Sequence, residues 1–411
     1  MTERWDGPSS SVIKEMGRRC RALHGDRGCD LALGAPDFPP PDEVREAAVS
    51  ILAGQVHQYP PTPGLPKLRA ALAETRSRMH GHAIDPEDEV TITTGATEGI
   101  MAALLSVADH GDEVVLMEPA YEGYLRGVRA IGAVPRLVRL HPPRWELDPD
   151  ELARAFSPRV RAVVVNSPHN PTGRLFGAEE LELVARLCRE HDVVAITDEV
   201  YEGLVYERPL VPLASLPGMR ERTITVSGAS KSLALTGWRL GWTIASPGLT
   251  AELRTAHEIL TLTGSHPLQA ALLSALPLPE RFYSDLVAGY RRRRDVLVSG
   301  LRRLGFVAEP PEGAFYVLAG HPDLPAGSGT ELAEILMGHG VASVPLSVFY
   351  LRGDADPDVP PMVRLTFAKR VETLERALAA LADLGRKRPR RPAAVRAPGR
   401  AIPPIQSMQE E

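Results

Sequence analysis

Cysteine is scarce in this chain, and so are the patterns it usually marks. Cys20, Cys29 and Cys188 are the only three in 411 residues. They show no metal-ligand spacing, no CxxC and no paired framework, which excludes a disulfide scaffold and leaves a reducing cytoplasm as the expected location. No metal centre is expected either. No apolar run approaches the roughly 18–20 residues of a membrane helix. The opening MTERWDGPSSS lacks the apolar centre of a secretion signal, so none is expected. The net charge of −5 and pI of about 6.2 give no global basic surface for nucleic acid or membrane. Internal repeats are absent too, which argues against solenoids and propellers.

What is present suits two domains around substantial cores. Residues 1–41 read as an arm belonging to the smaller domain, with a helix from Ser11 to Leu23 and an extended stretch through Leu33. Residues 42–282 read as the large domain: strands and helices alternate there as far as about Leu276, the pattern of an α/β, mostly parallel sheet with helices on both faces. Residues 283–385 read as a smaller α+β domain. It opens with an arginine-rich helix from Tyr283 to Leu304, carries GAFYVL, ASVPLSVFY and MVRLTFA as short strands, and closes with the helix VETLERALAALADLG. Residues 386–411 are rich in proline and arginine with few large apolar residues, so a disordered, solvated tail is expected. A phosphate-contacting arm is the less favoured reading of its arginines.

Chemistry concentrates in TVSGASKSLALTGWRLGW, from Thr225 to Trp242. Lys231 follows a short β-branched run, with small residues before it and Arg239 eight positions on. A partly desolvated lysine favours its neutral amine, which can form a Schiff base with a carbonyl. The Ser230 hydroxyl and the planar Arg239 guanidinium suit a phosphate. By itself this pattern is also what a surface lysine shows. Two upstream segments add weight: VVVNSPHNPTGR (Val163–Arg174) and VVAITDEVYEGLVY (Val193–Tyr206) each place polar residues just past a buried parallel strand. Ligands of open α/β sheets bind beyond the carboxyl ends of strands, so Asn170, Asp198, Tyr201 and Lys231 could share one crevice. An amide, an acid, a phenol and a lysine are what pyridoxal 5′-phosphate requires. Asp198 would keep the pyridine nitrogen protonated, and Asn170 and Tyr201 would bond the ring oxygen. TGATEGIMAALLSVA reads as a strand end, a glycine turn and a helix start, where the N–H groups of Gly95, Ala96 and Thr97 would cradle the phosphate. An ordinary helix capped by Thr97 is the alternative.

The motifs LGAPDFPPP, QYPPTPGLPKLR, TGATEG, EPAYEGY, SPHNPTG, DEVYE, SKSLALTGWRLGW, VPLSVFY and VRLTFA occur in this order. The chain thereby resembles the fold-type I, class I/II aminotransferases dependent on pyridoxal phosphate, from about Ser10 to about Leu384. Its detail is closest to the kynurenine, methionine and aromatic aminotransferase branch. The resemblance implies that Tyr121 stacks on the pyridine and that Arg364 and the Gly34 backbone hold the substrate α-carboxylate. It further implies that Tyr59 reaches the cofactor phosphate of a neighbouring subunit, making a homodimer with shared sites. Tyr124 would line the substrate pocket, with His266, Phe349 and Tyr350 on its far side. The arginines from Arg291 to Arg294 would be solvated.

The implied reaction is a ping-pong amino transfer between an amino acid and a 2-keto acid. Lys231 holds the cofactor, then moves the α-proton. No second arginine occupies a recognised position to meet a side-chain carboxylate, so the expected donor is neutral and large: aromatic, methionine-like, glutamine or kynurenine. A lyase or synthase of specialised metabolism, for instance acting on a sulfonium amino acid, is the alternative with the same cofactor site. A non-catalytic, DNA-binding regulator is not expected, since the forty or so residues before the large domain match the family's arm. Two departures from the family stand out: Ala35 where a polar residue is common, and Gly228 where serine is common, the latter implying one phosphate contact fewer.

Overall fold

A computed structural model describes residues 11–54, 57–274, 276 and 278–384. The tail 386–411 lies outside the described residues. Eight strands form the main sheet in the order Val90–Thr93, Gly241–Ile244, Thr223–Gly228, Val194–Asp198, Val160–Asn166, Glu113–Glu118, Val134–His141, Glu146–Leu147. The five from Thr223–Gly228 to Val134–His141 pair parallel, and the outer pairings are antiparallel. The expectation of a mostly parallel sheet is therefore met.

Strand geometry explains the runs of valine. Successive side chains point to opposite faces, so Val115, Met117, Val163 and Val165 enter one core while Val114, Leu116, Ala162 and Val164 enter another. Both faces are covered. Helix Ala178–His191 packs into the first core, and helices Ala96–Val107, Glu122–Ala130 and Pro247–Thr261 into the second. A strand buried on both sides has no polar side to show, which is why these segments read as continuous apolar runs.

A second, antiparallel sheet runs Val307–Ala308, Tyr316–Gly320, Met362–Thr366, Val344–Pro345. The amino-terminal helix spans Val12–His24, and Cys29–Asp30 behind it pairs in parallel with Val341–Ala342, joining the arm to this lobe. The long helix begins at Glu280 and ends at Arg303. ASVPLSVFY differs from expectation: its strand stops at Pro345, and Leu346–Phe349 forms a 3₁₀ turn. The backbone there bonds across to the main sheet instead. The Ala120 N–H donates to the Phe349 carbonyl at 2.7 Å, and the Leu351 N–H donates to Glu118 at 2.5 Å. No described helix is long and apolar enough to cross a membrane, and the described residues contain no cluster of metal-ligating side chains.

Candidate active site

The parallel strands end along one edge, and the polar residues just past them face a common crevice. Asp198 ends its strand and is 7% exposed. The Tyr124 hydroxyl donates to its Oδ2 at 2.6 Å, and the Val200 N–H donates to Oδ1 at 3.2 Å. Burial pushes the Asp198 carboxyl above its ordinary pKa, while these two hydrogen bonds and the Lys231 charge pull it back. Tyr124, expected at the substrate pocket, thus spends its hydroxyl on the buried Asp198 carboxylate.

Asn166 went unnoticed in the sequence, although it ends the run VVVN. Its Nδ2 donates to the Asp198 carbonyl at 2.8 Å, and its Oδ1 accepts the Asn170 N–H at 2.7 Å. One side chain thus sets the spacing between Asp198 and Asn170. The Tyr201 hydroxyl, driven to a raised pKa by burial, lies 3.2 Å from that of Tyr316. Lys231 is half-buried, with Nζ 5.8 Å from the Tyr201 ring centre and 5.6 Å from that of Phe315. Tyr121 meets Tyr124 edge to face at 5.4 Å.

The cradle is built by close approach of backbone. Gly95 has φ +78° and precedes helix Ala96–Val107. A Cβ at Gly95 would lie 2.6 Å from Arg239 Nη2, and one at Gly241 would lie 2.6 Å from the Ala96 nitrogen. Only glycine lets the guanidinium and the neighbouring strand come so near the helix start. The Gly95 N–H is already given to the Thr93 carbonyl at 2.8 Å, which removes it from the expected donor set. Ala96 and Thr97, in the first turn, remain as donors. Ser230, next to Lys231 in sequence, is buried, and Arg239 is exposed with φ +54°. Gly228 has its own reason: a Cβ there would sit 2.9 Å from the Leu240 carbonyl oxygen.

Arg364 is 1% exposed. Its Nη1 donates to Asn170 Oδ1 at 2.8 Å and its Nη2 to the Ala32 carbonyl at 2.9 Å, while Nε has no partner. The guanidinium lies 4.0 Å from the Tyr316 ring centre and 5.0 Å from that of Phe349. No described carboxylate neutralises it, and a buried charge without a counter-ion is costly. Gly34 faces the same place, since a Cβ there would come within 1.9 Å of the Tyr316 hydroxyl oxygen. Tyr316, a second residue missed in the sequence, thus touches Tyr201, Arg364 and Gly34 together; GAFYVL offered no signal beyond a strand pattern.

Other expected residues fall elsewhere. Tyr59 is 80% exposed. His266 bonds the Gln58 carbonyl at 2.9 Å through Nδ1, next to the Tyr59 loop. Tyr350 lies under the Arg139 guanidinium at 5.4 Å, and Arg139 also pairs with Asp356. Arg294 is buried rather than solvated, because its helix face turns toward Tyr206, and it pairs with Glu207 at 2.8 Å. Of two further lysines that could be weighed against Lys231, Lys67 is exposed, whereas Lys369 is buried and donates to the Ala35 carbonyl at 2.9 Å.

Comparison with known proteins gives the same result as this geometry. The family model for aminotransferases of class I and II matches residues 27–381. A probable N-succinyldiaminopimelate aminotransferase of Mycobacterium tuberculosis is 40% identical over 367 residues, covering 87% of this chain and 92% of that one. The methionine aminotransferase of Escherichia coli K12 is 33% identical, covering 86% and 92%. The solved structure of N-succinyldiaminopimelate aminotransferase from M. tuberculosis superposes with a TM-score of 0.88 at 39% identity, over 93% of this chain and 99% of that one. The chain belongs to the class I and II aminotransferases, enzymes of fold type I that use pyridoxal 5′-phosphate. The residues present fit that cofactor: a buried carboxyl hydrogen-bonded only by neutral donors, a glycine-lined helix start under an arginine, and a half-buried lysine.

Proposed function

We propose that the strand-end crevice transfers the amino group of a large, neutral L-amino acid to a 2-keto acid. Arg364 carries the reading. It is a buried cation whose protein partners are all neutral, and an α-carboxylate would supply the missing negative charge with bidentate geometry. Gly34 backbone would complete that grip, with Asn170 steadying the guanidinium.

Ala96, Thr97, Ser230 and Arg239 would hold the cofactor phosphate, and Tyr121 would cover the ring. Asp198 would face the pyridine nitrogen, with Tyr124 fixing its orientation. Asn170 and Tyr201 would reach the ring oxygen. Bound there, the cofactor supplies an electron sink for the bond broken at the substrate α-carbon. Lys231 Nζ is the cofactor's anchor, and once released it is the base that takes the α-proton and returns it during the exchange. Phe315 and Tyr201, whose ring centres are 5.2 Å apart, would together form an apolar wall on one side of that amine.

The neutral donor is supported by the aromatic groups around the clamp, Tyr316 and Phe349, and by Arg139 being spent on Asp356. The relatives' own names include N-succinyldiaminopimelate, methionine, kynurenine and aspartate/prephenate, so the donor is the finer part of the proposal. Steady-state assays with methionine, phenylalanine, glutamine, kynurenine and aspartate test it. Aspartate should be the poorest, and an aspartate preference of about tenfold, worth some 1.4 kcal/mol, would refute the neutral pocket.

A homodimer with shared sites is part of the same proposal. Tyr59 at 80% and Ile259 at 82% exposure lie on neighbouring segments, since His257 on the Ile259 helix bonds Thr62 in the Tyr59 loop. A partner subunit covering them would remove both from water and bring Tyr59 to its phosphate site. Light scattering showing a fully active monomer would refute it.

A further inference from the structure

His257 belongs to none of the groups placed in the crevice, yet it joins two of the segments that build it. It lies on helix Pro247–Thr261 and is 0% exposed. Nε2 is 3.0 Å from the Thr62 carbonyl oxygen, and Nδ1 is 3.1 Å from Glu98 Oε1. A carbonyl can only accept, so Nε2 carries a proton and donates it. Nδ1 then either donates to an ionised Glu98 or accepts from its acid form, and in both cases one proton is held between them. The other Glu98 oxygen, Oε2, accepts the Thr94 N–H at 3.0 Å. The Thr261 hydroxyl, 3.3 Å from Nδ1, closes the remaining side.

The two ends of this chain of contacts matter. Glu98 lies in the first turn of helix Ala96–Val107, immediately after Thr97, and Thr94 is on the glycine turn before it. Thr62 lies three residues after Tyr59, in a loop held again where Thr263 Oγ1 donates to the Pro61 carbonyl at 3.3 Å. A first turn displaced by a few tenths of an ångström misdirects its N–H donors, and a displaced loop misdirects Tyr59. Both are fixed to a single rigid, fully buried ring.

We propose that His257 is a positioning residue: by bridging Glu98 and Thr62 it holds the phosphate-cradling turn and the Tyr59 loop in register, so that one contact sets a protomer's own grip on cofactor phosphate and the grip it offers its partner. This rests on the cofactor and shared-site reading above.

The test measures pyridoxal phosphate affinity of the apo-protein by titration, separately from kcat and donor KM at saturating cofactor. His257→Leu keeps the bulk and removes both bonds, and should raise the cofactor dissociation constant about tenfold, the scale of one lost buried hydrogen bond. The donor KM and kcat, once cofactor saturates, should stay within about twofold, because Arg364 and Lys231 are untouched. Combined with Tyr59→Phe, the loss should be less than the product of the two, since both act on the same phosphate. If His257→Leu does not fold, His257→Gln, which can donate to Thr62 but not also to Glu98, should show about a threefold loss. Unchanged cofactor affinity in a folded variant, even with a lowered melting temperature, overturns the proposal, as does a fall in kcat at saturation. Tyr59→Phe alone separates the two levels: if it leaves cofactor affinity unchanged in the dimer, the shared-site reading fails; if it responds and His257→Leu does not, only the positioning role fails.

Discussion

On the side of the crevice proposed for the cofactor, polar groups stand at the ends of neighbouring strands of one sheet; on the side proposed for the carboxylate, they are gathered from remote parts of the chain. Asp198, Asn166 and Gly228 are held by strand registers such as Asn166 opposite Asp198 and Gly228 opposite Gly241. Arg364, by contrast, bonds Asn170 across 194 positions and Ala32 across 332. The 30–37 segment is fastened to the last strand and helix in the same way. The Thr366 N–H donates to the Leu31 carbonyl at 2.9 Å, Lys369 to Ala35, and the Arg370 N–H to Asp37 at 2.6 Å. A sheet-borne site is as rigid as the core beneath it, whereas a site sewn together from three segments depends on each stitch. Substrate binding should therefore be easier to perturb, without loss of cofactor, than the reverse.

The largest effect should come from Lys231→Ala, which by the roles proposed above would remove the cofactor's covalent anchor and the proton carrier together. Turnover should fall by roughly three orders of magnitude or more, with loss of the absorbance of the lysine-bound cofactor. Near-native turnover would remove Lys231 from the mechanism and direct attention to Lys369.

Arg364→Leu is the sharpest test of the contrast. It should lower kcat/KM for the amino donor by roughly two orders of magnitude, as expected when one partner of a buried charge pair is lost. The cofactor dissociation constant, measured on the same protein, should hardly move. If both change equally, the two sides are not separable.

Gly34→Ala should act on the same side more gently. The added methyl meets the Tyr316 hydroxyl oxygen at 1.9 Å, so the ring or the strap must shift. A rise in donor KM of about tenfold is expected, since such overpacking typically costs about 1–3 kcal/mol. An unchanged KM would show that the strap yields freely.

Glu199→Gln probes the cost of the sheet-borne side through stability rather than rate. Burial first, then the nearby Glu202 charge, push the Glu199 carboxyl up to about 8 from its ordinary 4.5. The folded state thus holds a proton that the unfolded chain releases at lower pH. Stability contributed by that proton is complete below the unfolded pKa and lost as pH rises through about 8. Glutamine cannot lose a proton there, so denaturant melts of the variant should show a flatter decline between pH 5 and 8. An unaltered slope would mean that Glu199 is ionised in the folded protein.

The legible part of the molecule was the part written locally. β-branched runs set strands with both faces buried, and turn residues mark where those strands end, so Asp198, Asn170 and Lys231 could be placed at strand ends by spacing alone. The family resemblance extended that to Arg364 and Gly34 as residues, though not to their partners. Hydrogen-bond ownership was not legible. That Tyr124 serves Asp198, that Asn166 spaces Asp198 from Asn170, that Gly95 gives its N–H to Thr93, and that Tyr316 touches three site residues all depend on how elements pack. Arg294 shows the same limit, since Arg291 and Arg292 just before it are exposed and only the helix face decides its burial. The amino-acid sequence by itself determined the fold class and the family, because strand burial patterns act over a few residues and the motifs keep their order along the chain. Tertiary structure alone decided which donor meets which acceptor and which cation lacks a counter-ion, because those outcomes depend on distances between segments up to 332 positions apart.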